Sequence, residues 1–382
     1  MKVAVEINKL GNYIREANLR NSIGIDNLYG LSMSKEFRKS TSNIIGVDLS
    51  KYKIVKQNQF ACDFMSPIRV NKLPVVINKT GEDIIVSPAY PVFEVIDASV
   101  LDPDYLMLWF RRSEFDRHVV FQCDGGVRGG YGWTELCNEP IVVPDIEKQR
   151  EIVNEYQIIQ KKIADNNNRI ARLSSLCKML YKKMISGIEP NKTISEVSKR
   201  VITGKTPSTN RNELWGGSIP FVTIPDMHGN VFIENTERYL SNAGSESQKT
   251  TIIPSDAIIV SCIATVGLVG ISTQNCHTNQ QINSIIPKNK YDEFFIYESL
   301  LAHVQELQSL GEGGSATLNV SKSKLENMKI EYPEDDTIRE EYSKTCAPLF
   351  ESIRTLEREN ICLDDMLNVI IRRLIKISQE ES

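Results

Sequence analysis

Two long stretches of the chain place apolar residues at alternating intervals of four and three positions. The first series holds nine apolar residues and one asparagine: Ile152, Tyr156, Ile159, Ile163, Asn166, Ile170, Leu173, Cys177, Leu180 and Met184. The second series has the same make-up: Tyr342, Cys346, Leu349, Ile353, Leu356, Asn360, Leu363, Leu367, Ile370 and Leu374. Because the spacing averages 3.5 residues, it predicts two long helices that pair as a coiled coil.

The two asparagines indicate how these helices pair. Asn166 is the fifth member of its series and Asn360 is the sixth member of its own. With the ends of the series aligned, antiparallel pairing brings the asparagines together, whereas parallel pairing buries each opposite an apolar side chain. An unsatisfied buried amide costs about 1–3 kcal/mol, so the sequence favours an antiparallel pair whose register Asn166 and Asn360 fix. The alternative is two unrelated amphipathic helices, each packed on its own domain.

Each predicted helix follows a region of similar design. The segments "IVVPDIEKQREI" (141–152) and "IEYPEDDTIREE" (330–341) align at an offset of 189, which matches Pro144 with Pro333 and Arg150 with Arg339. A glycine pair precedes each proline, and short β-like runs such as "DIIVSP" and "AIIVSCI" fill both regions. This repetition predicts an α+β protein with a pseudo-twofold internal repeat.

The helix length carries a functional implication. Positions 152 to 184 lie 32 residues apart, which is about 48 Å at ~1.5 Å per residue. Antiparallel pairing would put the two preceding domains at opposite ends of the helices, farther apart than one turn of B-DNA, roughly 34 Å. We therefore expect a DNA target of two half-sites, one for each domain, separated by base pairs that neither domain reads.

Composition is that of a globular protein of two or three domains, with 382 residues, 41% of them hydrophobic and 25% charged. The N-terminus shows no secretory signal pattern, and the most apolar run, 257–271, is too short to cross a bilayer. None of the eight cysteines forms a Cys-x-x-Cys pair. These features predict a reduced, cytoplasmic protein without a metal site, since the adjacent Cys276 and His277 cannot complete one.

Charge is distributed unevenly around a net value of −4. Residues 1–81 contain 13 Lys and Arg against 6 Asp and Glu, a net charge of +7, whereas 82–145 contain 4 against 12, a net charge of −8. Such a chain can present a basic face to DNA while its acidic segments lie elsewhere. Surface charge that is merely solvated, with no partner, is the alternative interpretation.

The stretch "ITGKTPST" (202–209) resembles the end of a nucleotide-binding loop. Such a loop needs a glycine five positions before Gly204, where this chain has Lys199, and a helix directly behind it. Pro207 disfavours a helix start there. ATP binding is therefore not expected from this segment.

A set of local strings resembles the specificity subunit of type I restriction-modification systems. The second half carries "ITGKTPS" (202–208), "WGGSIPFVTIPDM" (215–227), "SCIATVGLVGI" (261–271), "NQQIN" (279–283) and "GGSATLNVSKSKLENMKIEYP" (313–333). The more divergent first half carries "GGYGWTEL" (129–136) and "IVVPDIEKQREI" (141–152). The resemblance implies two target-recognition domains of mixed α/β structure, each followed by a long helix of an antiparallel coiled coil. The implied segments are 1–145, target-recognition domain 1; 146–187, first spacer helix; 188–333, target-recognition domain 2; and 334–382, second spacer helix.

Family membership would make the chain a non-catalytic subunit that reads a bipartite, asymmetric target in double-stranded DNA. It would hold two modification subunits, which methylate adenine, and through them the restriction subunits. S-adenosylmethionine, ATP and Mg are then expected on those partners, with no cofactor on this chain. The sequence agrees with this division, because it contains no Pro-Pro-Tyr or Pro-Pro-Phe string and no Gly-x-Gly cofactor loop after a strand.

Candidate DNA-binding residues follow from the resemblance and from the basic character of residues 1–81. For the second domain they are Lys205, Thr206, Ser208, Asn210 and Arg211, which offer a cation, hydroxyls and amides to phosphates or base edges. For the first domain they are Arg20, Asn21, Ser22, Lys35, Arg38, Lys39, Arg69 and Arg128. A purely structural turn at 204–208 and solvated surface lysines are the alternatives.

Two other functions are open at this point. A fused or unusual methyltransferase-nuclease fragment would need the motifs that the chain lacks. An interaction scaffold without DNA readout would show neither the steep salt dependence that phosphate contacts produce nor a preference among random duplexes.

Overall fold

A computed structural model describes residues 7–40, 46–124, 130–311 and 318–380. The chain divides into two compact units, one formed by residues 1–162 and 363–382 and the other by residues 163–362. Both long helices contribute to both units, so this division differs from the four consecutive segments that the sequence suggests. We describe each unit by itself.

The first unit is built on short antiparallel strands. Its strands are β1 (Ile7–Lys9), β2 (Ile14–Glu16), β3 (Tyr29–Leu31), β4 (Phe37–Lys39), β5 (Lys53–Val55), β6 (Phe60–Cys62), β7 (Val75–Ile77), β8 (Ile84–Val86), β9 (Val92–Val95) and β10 (Pro140–Val142). Its helices are α1 (Pro67–Val70), α2 (Pro103–Phe110), α3 (Ser113–Asp124), α4 (Trp133–Asn138) and the first part of α5 (Ile146–Met184).

The main sheet of this unit has the order β2-β9-β6-β7. Phe60 on β6 stacks on Phe93 on β9 with ring centroids 5.0 Å apart, and Phe110 of α2 meets both rings edge-on. Asp102 caps the start of α2 by accepting hydrogen bonds from the N–H groups of residues 104 and 105, while Pro103 occupies the first helical turn. The cap and the aromatic cluster together fix α2 against the sheet.

The second unit contains longer strands. They are β11 (Lys192–Thr193), β12 (Ser198–Thr203), β13 (Trp215–Val222), β14 (Phe232–Ile233), β15 (Arg238–Leu240), β16 (Ile258–Ser261), β17 (Val269–Ser272), β18 (His277–Thr278), β19 (Ile282–Pro287) and β20 (Lys329–Ile330). The helices are α6 (Ile194–Val197), α7 (Ile224–Met227), α8 (Asn242–Glu246), α9 (Glu293–Ala302), α10 (Val304–Gly311), α11 (Lys322–Asn327), the second part of α5 and the first part of α12 (Asp336–Glu380).

A five-stranded sheet of order β12-β19-β16-β17-β14 and a three-stranded sheet of order β15-β13-β18 form the body of this unit. The pairs β14 with β17 and β13 with β18 are parallel, and the other pairs within these two sheets are antiparallel. All four residues of β16 are buried, which explains the continuous apolar run of its sequence.

The two units share one order of elements. The sheet order β2-β9-β6-β7 corresponds to β12-β19-β16-β17, and in each case two helices, a short helix and a further strand lead into a long helix. The strand before the long helix pairs antiparallel with the first strand of the unit, β10 with β1 and β20 with β11. Helices α2 and α9 begin 190 residues apart, and so do α5 and α12, at positions 103, 293, 146 and 336.

A buried side chain anchors the start of α5. Gln149 donates hydrogen bonds to the carbonyl oxygens of Pro144 and Val100 at 2.7 and 2.8 Å, and its side-chain oxygen accepts from the N–H of Asp102. The helix start is thereby tied to the cap of α2.

Arg339 has the corresponding role at the start of α12. Its Nε donates to Asp292, the residue at the cap of α9, at 2.9 Å, and its guanidinium also bonds the carbonyl of Pro333. The equivalent of Arg339 is therefore Gln149, and the predicted match with Arg150 is wrong by one residue, because Arg150 is exposed on α5.

The long helices pair antiparallel within the second unit. Tyr342 lies against Tyr181 and its hydroxyl reaches the carbonyl of Cys177, whereas Asn360 contacts Asn166. The seam deviates from a strict 3.5-residue spacing in one respect. Tyr181 and Phe350 are buried, while their neighbours Leu180 and Leu349 are only partly buried, because a helix of 3.6 residues per turn drifts from a heptad where it packs on a globular core.

Candidate nucleic-acid interface

The loop 204–211 of the second unit lies directly against the segment 277–281. The N–H of Gly204 donates to the carbonyl of Ile282 at 3.0 Å and the N–H of Lys205 donates to the carbonyl of Thr278 at 2.9 Å. A Cβ atom on Gly204 would lie 2.2 Å from the carbonyl oxygen of Asn279. The glycine is therefore required by a close backbone approach and not by a bound phosphate.

A side-chain hydrogen bond also joins the loop 204–211 to the segment 277–281. The Thr206 hydroxyl donates to Oε1 of Gln280 at 2.7 Å, and Gln280 is exposed. Asn279 and Gln281 hydrogen-bond each other beside it. The result is a surface of amide and hydroxyl groups, which are the side chains that read base edges and phosphates.

The far end of the loop is also fixed. The indole N–H of Trp215 donates to the carbonyl of Ser208 at 3.1 Å, and the Arg238 guanidinium lies 3.6 Å from the centre of the Trp215 ring. Arg211 pairs with Glu213 at 2.7 Å, and the hydrogen bond from Arg211 lowers the pKa of the Glu213 carboxyl. Part of the Arg211 charge is thus neutralised within the loop.

The structure brings the five predicted residues of the second domain into one loop. Lys205, Ser208, Asn210 and Arg211 are exposed, and Thr206 is half-buried. The sequence did not predict the participation of Gln280, Trp215 and Arg238. Gln280 lies in the quoted string "NQQIN", but only the fold brings it to Thr206 across 74 residues.

Among the predicted residues of the first domain, four have exposed side chains on short turns or strand ends. Arg38 and Lys39 lie on β4, which pairs with β3 in a hairpin. Arg20 donates to the carbonyl of Lys51, and the neighbouring Ser22 is exposed. These side chains remain candidates for DNA contact.

Arg69 is exposed as well, at the end of α1, and donates to the Ser66 hydroxyl at 3.2 Å. Arg128 lies outside the described residues.

Two predicted residues of the first domain are buried, which counts against a role in DNA contact. Asn21 is 2% exposed, and its amide donates to the carbonyl of Ile25 and accepts from the N–H of the same residue. It is a turn-forming side chain of the kind that asparagine commonly provides.

Lys35 is 5% exposed and forms an ion pair with Asp116 at 2.8 Å. It also donates to the carbonyl of Phe110, and burial lowers its pKa despite the carboxylate. The sequence could not reveal that Lys35 is buried, because a buried lysine and a surface lysine look the same in a sequence. Only the fold shows that Asp116 lies beside Lys35.

The helix pair carries a polar layer at the predicted asparagines. Nδ2 of Asn166 donates to Oδ1 of Asn360 and to Oε2 of Glu359, both at 2.9 Å, and Nδ2 of Asn360 donates to Asn167. The two predicted register residues are thus in direct contact in the second unit. Glu359 and Asn167 extend the layer beyond the predicted pair.

Within the described ranges, no three His, Cys, Asp or Glu side chains come together as a metal site. No helix in that part of the chain is long and apolar enough to cross a membrane.

Comparison with known proteins finds a family model that matches part of the chain. Residues 187–361 match the family model of the type I restriction modification DNA specificity domain. They include β12 to β20, the loop 204–211 and Asn360. Over these residues the chain is similar to the specificity subunits of type I restriction-modification systems.

Individual relatives support this. The chain is 39% identical over 186 residues to the specificity subunit of the type I restriction enzyme HindI of Haemophilus influenzae, covering 48% of this chain and 40% of the relative. It is 30% identical over 145 residues to the MjaIX specificity subunit of Methanocaldococcus jannaschii, covering 37% and 33%. The matched part of the chain therefore spans about two fifths or less of the length of these relatives.

The fold extends the likeness to both units. A crystal structure of a type I restriction-modification S subunit from M. genitalium superimposes with a TM-score of 0.55 and 12% identity, covering 97% of this chain and 95% of that one. The α+β class with two domains and long paired helices, expected from the sequence, is thereby confirmed.

Proposed function

We propose that this chain is the non-catalytic DNA specificity subunit of a type I restriction-modification complex. The observation that carries the proposal is the loop 204–211, which is hydrogen-bonded through Thr206 to Gln280. Both segments lie inside the region that matches the DNA specificity family. It offers one free lysine, hydroxyls and amides, and its backbone hydrogen-bonds to Thr278 and Ile282.

The proposed target is double-stranded DNA with two half-sites, one for each unit. The shared order of elements in the two units supports two equivalent readers, and their different loop residues support an asymmetric sequence. The gap between the half-sites would follow from the length of the paired helices.

The partners in this proposal are two modification subunits and, through them, restriction subunits. S-adenosylmethionine, ATP and Mg would be bound by those partners in the cytoplasm. This chain would supply sequence choice and a scaffold.

The test uses the full chain assembled with its modification subunit. Mapping methylated adenines should reveal one bipartite sequence. Binding to that duplex should weaken steeply with salt, and Lys205→Ala should reduce the slope of log K against log[salt] by about one phosphate contact.

Lys290→Ala is the matched control, because Lys290 is an exposed lysine beyond the opposite end of β19 from the loop. Binding without sequence preference and without a salt slope would favour a scaffold that does not read DNA. An identical loss of DNA affinity in both lysine variants would argue that the loop 204–211 does not contact DNA.

A further inference from the structure

The first unit contains a small cavity that the proposed function does not use. It has a volume of about 250 Å³ and lies between α2, α3 and β10. Its walls include Trp109, Arg112, Phe115, Glu139 and Val142. None of the predicted DNA-contact residues lines it.

Arg112 is the unusual member of this wall. It is 9% exposed, its Nε donates to the carbonyl of Trp109 at 3.0 Å, and its guanidinium carbon lies 3.3 Å from the centre of the Trp109 ring. Within the described part of the chain, no carboxylate lies within ion-pair distance of it. Buried charges are normally paired with an opposite charge. The Arg112 guanidinium lacks such an anionic partner.

Two acidic side chains line the cavity, and both are already engaged. Glu114 pairs with Arg117 at 3.3 Å. Glu139 accepts a hydrogen bond from the Tyr131 hydroxyl at 2.9 Å, and its other oxygen lies 3.5 Å from Nε2 of His118. Burial raises the pKa of Glu139 and lowers the pKa of Arg112 to about 10. The two groups therefore do not neutralise each other through a direct bond.

A second donor is unsatisfied at the same wall. The indole N–H of Trp109 is buried and has no hydrogen-bond partner among the described residues. Phe115 and Val142 line the same cavity and add apolar surface to it. A ligand that fits must carry an acceptor with negative charge at one end and a short apolar group at the other.

We propose that this cavity binds a small monocarboxylate. Its carboxylate accepts hydrogen bonds from the guanidinium of Arg112, whose planar fork matches two oxygens, and its apolar group lies against Phe115 and Val142. The volume is below the roughly 300–1,000 Å³ of pockets for drug-sized ligands, which limits the ligand to a compact acid. A phosphate monoester fits less well, because Glu114 and Glu139 both line the cavity and would disfavour a second negative charge.

The experiment measures binding to the full chain without DNA, by calorimetry and by ligand-observed NMR. Benzoate is the probe, and benzamide, which has the same shape without the charge, is the matched ligand control. We expect saturable binding of benzoate at one site per chain with a Kd on the order of 1 mM or tighter. Benzamide should bind at least about tenfold more weakly.

Protein variants localise the site. Arg112→Lys keeps the charge but removes the fork, so benzoate binding should weaken about tenfold. Arg150→Lys is the control, since Arg150 is an exposed arginine of α5 outside the cavity. Phe115→Leu should weaken benzoate binding more than acetate binding.

Several results would overturn the proposal: no saturable binding of benzoate, equal binding of benzoate and benzamide, or equal losses in Arg112→Lys and Arg150→Lys. Circular dichroism of each variant distinguishes a lost site from a lost fold. The proposed DNA recognition is unaffected by any of these outcomes.

Discussion

Nδ2 of Asn166 lies 2.9 Å from Oδ1 of Asn360, and this bond joins the two long helices across 194 residues of sequence. Asn166 is fully buried, so its amide depends on the other helix for its partners. The pair therefore sets which layer of one helix faces which layer of the other, a role that single buried asparagines have in coiled coils.

Asn166→Leu should destabilise the helix pair more than the double change Asn166→Leu with Asn360→Leu. The single variant leaves the Asn360 oxygen without its donor, at about 1–3 kcal/mol, whereas the double variant replaces both amides by apolar side chains. Thermal melting measures the difference, and the exposed Asn168→Leu serves as the control. Equal destabilisation by the single and double variants would argue against direct pairing.

Thr206→Val should weaken binding to the cognate duplex by about two- to tenfold, as expected for an exposed hydrogen bond worth about 0.5–1.5 kcal/mol. The valine keeps the shape of threonine but cannot donate to Gln280. Fluorescence anisotropy of the assembled complex measures the change.

Thr209→Val is the control for the Thr206–Gln280 hydrogen bond, since Thr209 is exposed in the same loop. If Thr206 acts through Gln280, adding Gln280→Ala to Thr206→Val should reduce DNA affinity little more than either change alone. Additive losses would mean that the two side chains contact DNA independently.

Lys35→Met should lower the stability of the first unit by about 3–5 kcal/mol, because it leaves Asp116 buried without its cation. Arg38→Ala, at an exposed position on β4, should leave stability within about 0.5 kcal/mol and reduce DNA affinity instead. Urea unfolding and anisotropy separate the two effects. A stable Lys35→Met protein with reduced DNA affinity would restore Lys35 as a contact residue.

The sequence predicted those features that depend on local spacing. The helix pair and its asparagine layer follow from a period that a single helix imposes on its own side chains, and residues 204–211 form the loop that the resemblance indicated. Partners separated by a long stretch of sequence escaped prediction. Asp116 beside Lys35 and Gln280 beside Thr206 are 81 and 74 residues apart, and neither strand pairing nor loop packing can be inferred from periodicity alone.

Gln149 and Arg339, which have equivalent positions in the two units, show a related limit of prediction from sequence. Both side chains tie a long helix to the cap of an earlier helix, yet they differ in charge and in length. An alignment that matches identical residues selects Arg150 instead, because only the geometry of the buried hydrogen bonds reveals the shared role.

Glu357→Gln should remove part of the pH dependence of the second unit. The Glu357 carboxylate is buried and accepts hydrogen bonds from the N–H groups of Val231 and Phe232 at 2.7 and 3.0 Å. Burial outweighs these bonds and raises its pKa from 4.5 to about 7, and the nearby Glu234, itself paired with arginines of α12, adds to the rise. The folded state thus holds a proton that the unfolded chain has lost between these two values.

Stability from this group is therefore fully present below pH 4.5 and is lost as pH rises through about 7. Glutamine removes the charge and keeps one of the two acceptors, for either Val231 or Phe232. One pKa unit corresponds to about 1.4 kcal/mol, so at pH 8 the variant should still be more stable than the parent chain, by roughly 1–3 kcal/mol after the loss of one hydrogen bond. At pH 4.5 the gain disappears, and the variant should be less stable by the one lost hydrogen bond, about 1 kcal/mol. Hydrogen exchange of peptides containing Val231 and Phe232, compared between proteins at the same pH, measures this locally. Glu351→Gln, at an exposed position of α12, should show no difference at either pH. Weaker protection in Glu357→Gln at pH 8 would mean that the charged carboxylate itself holds β14 on the helix.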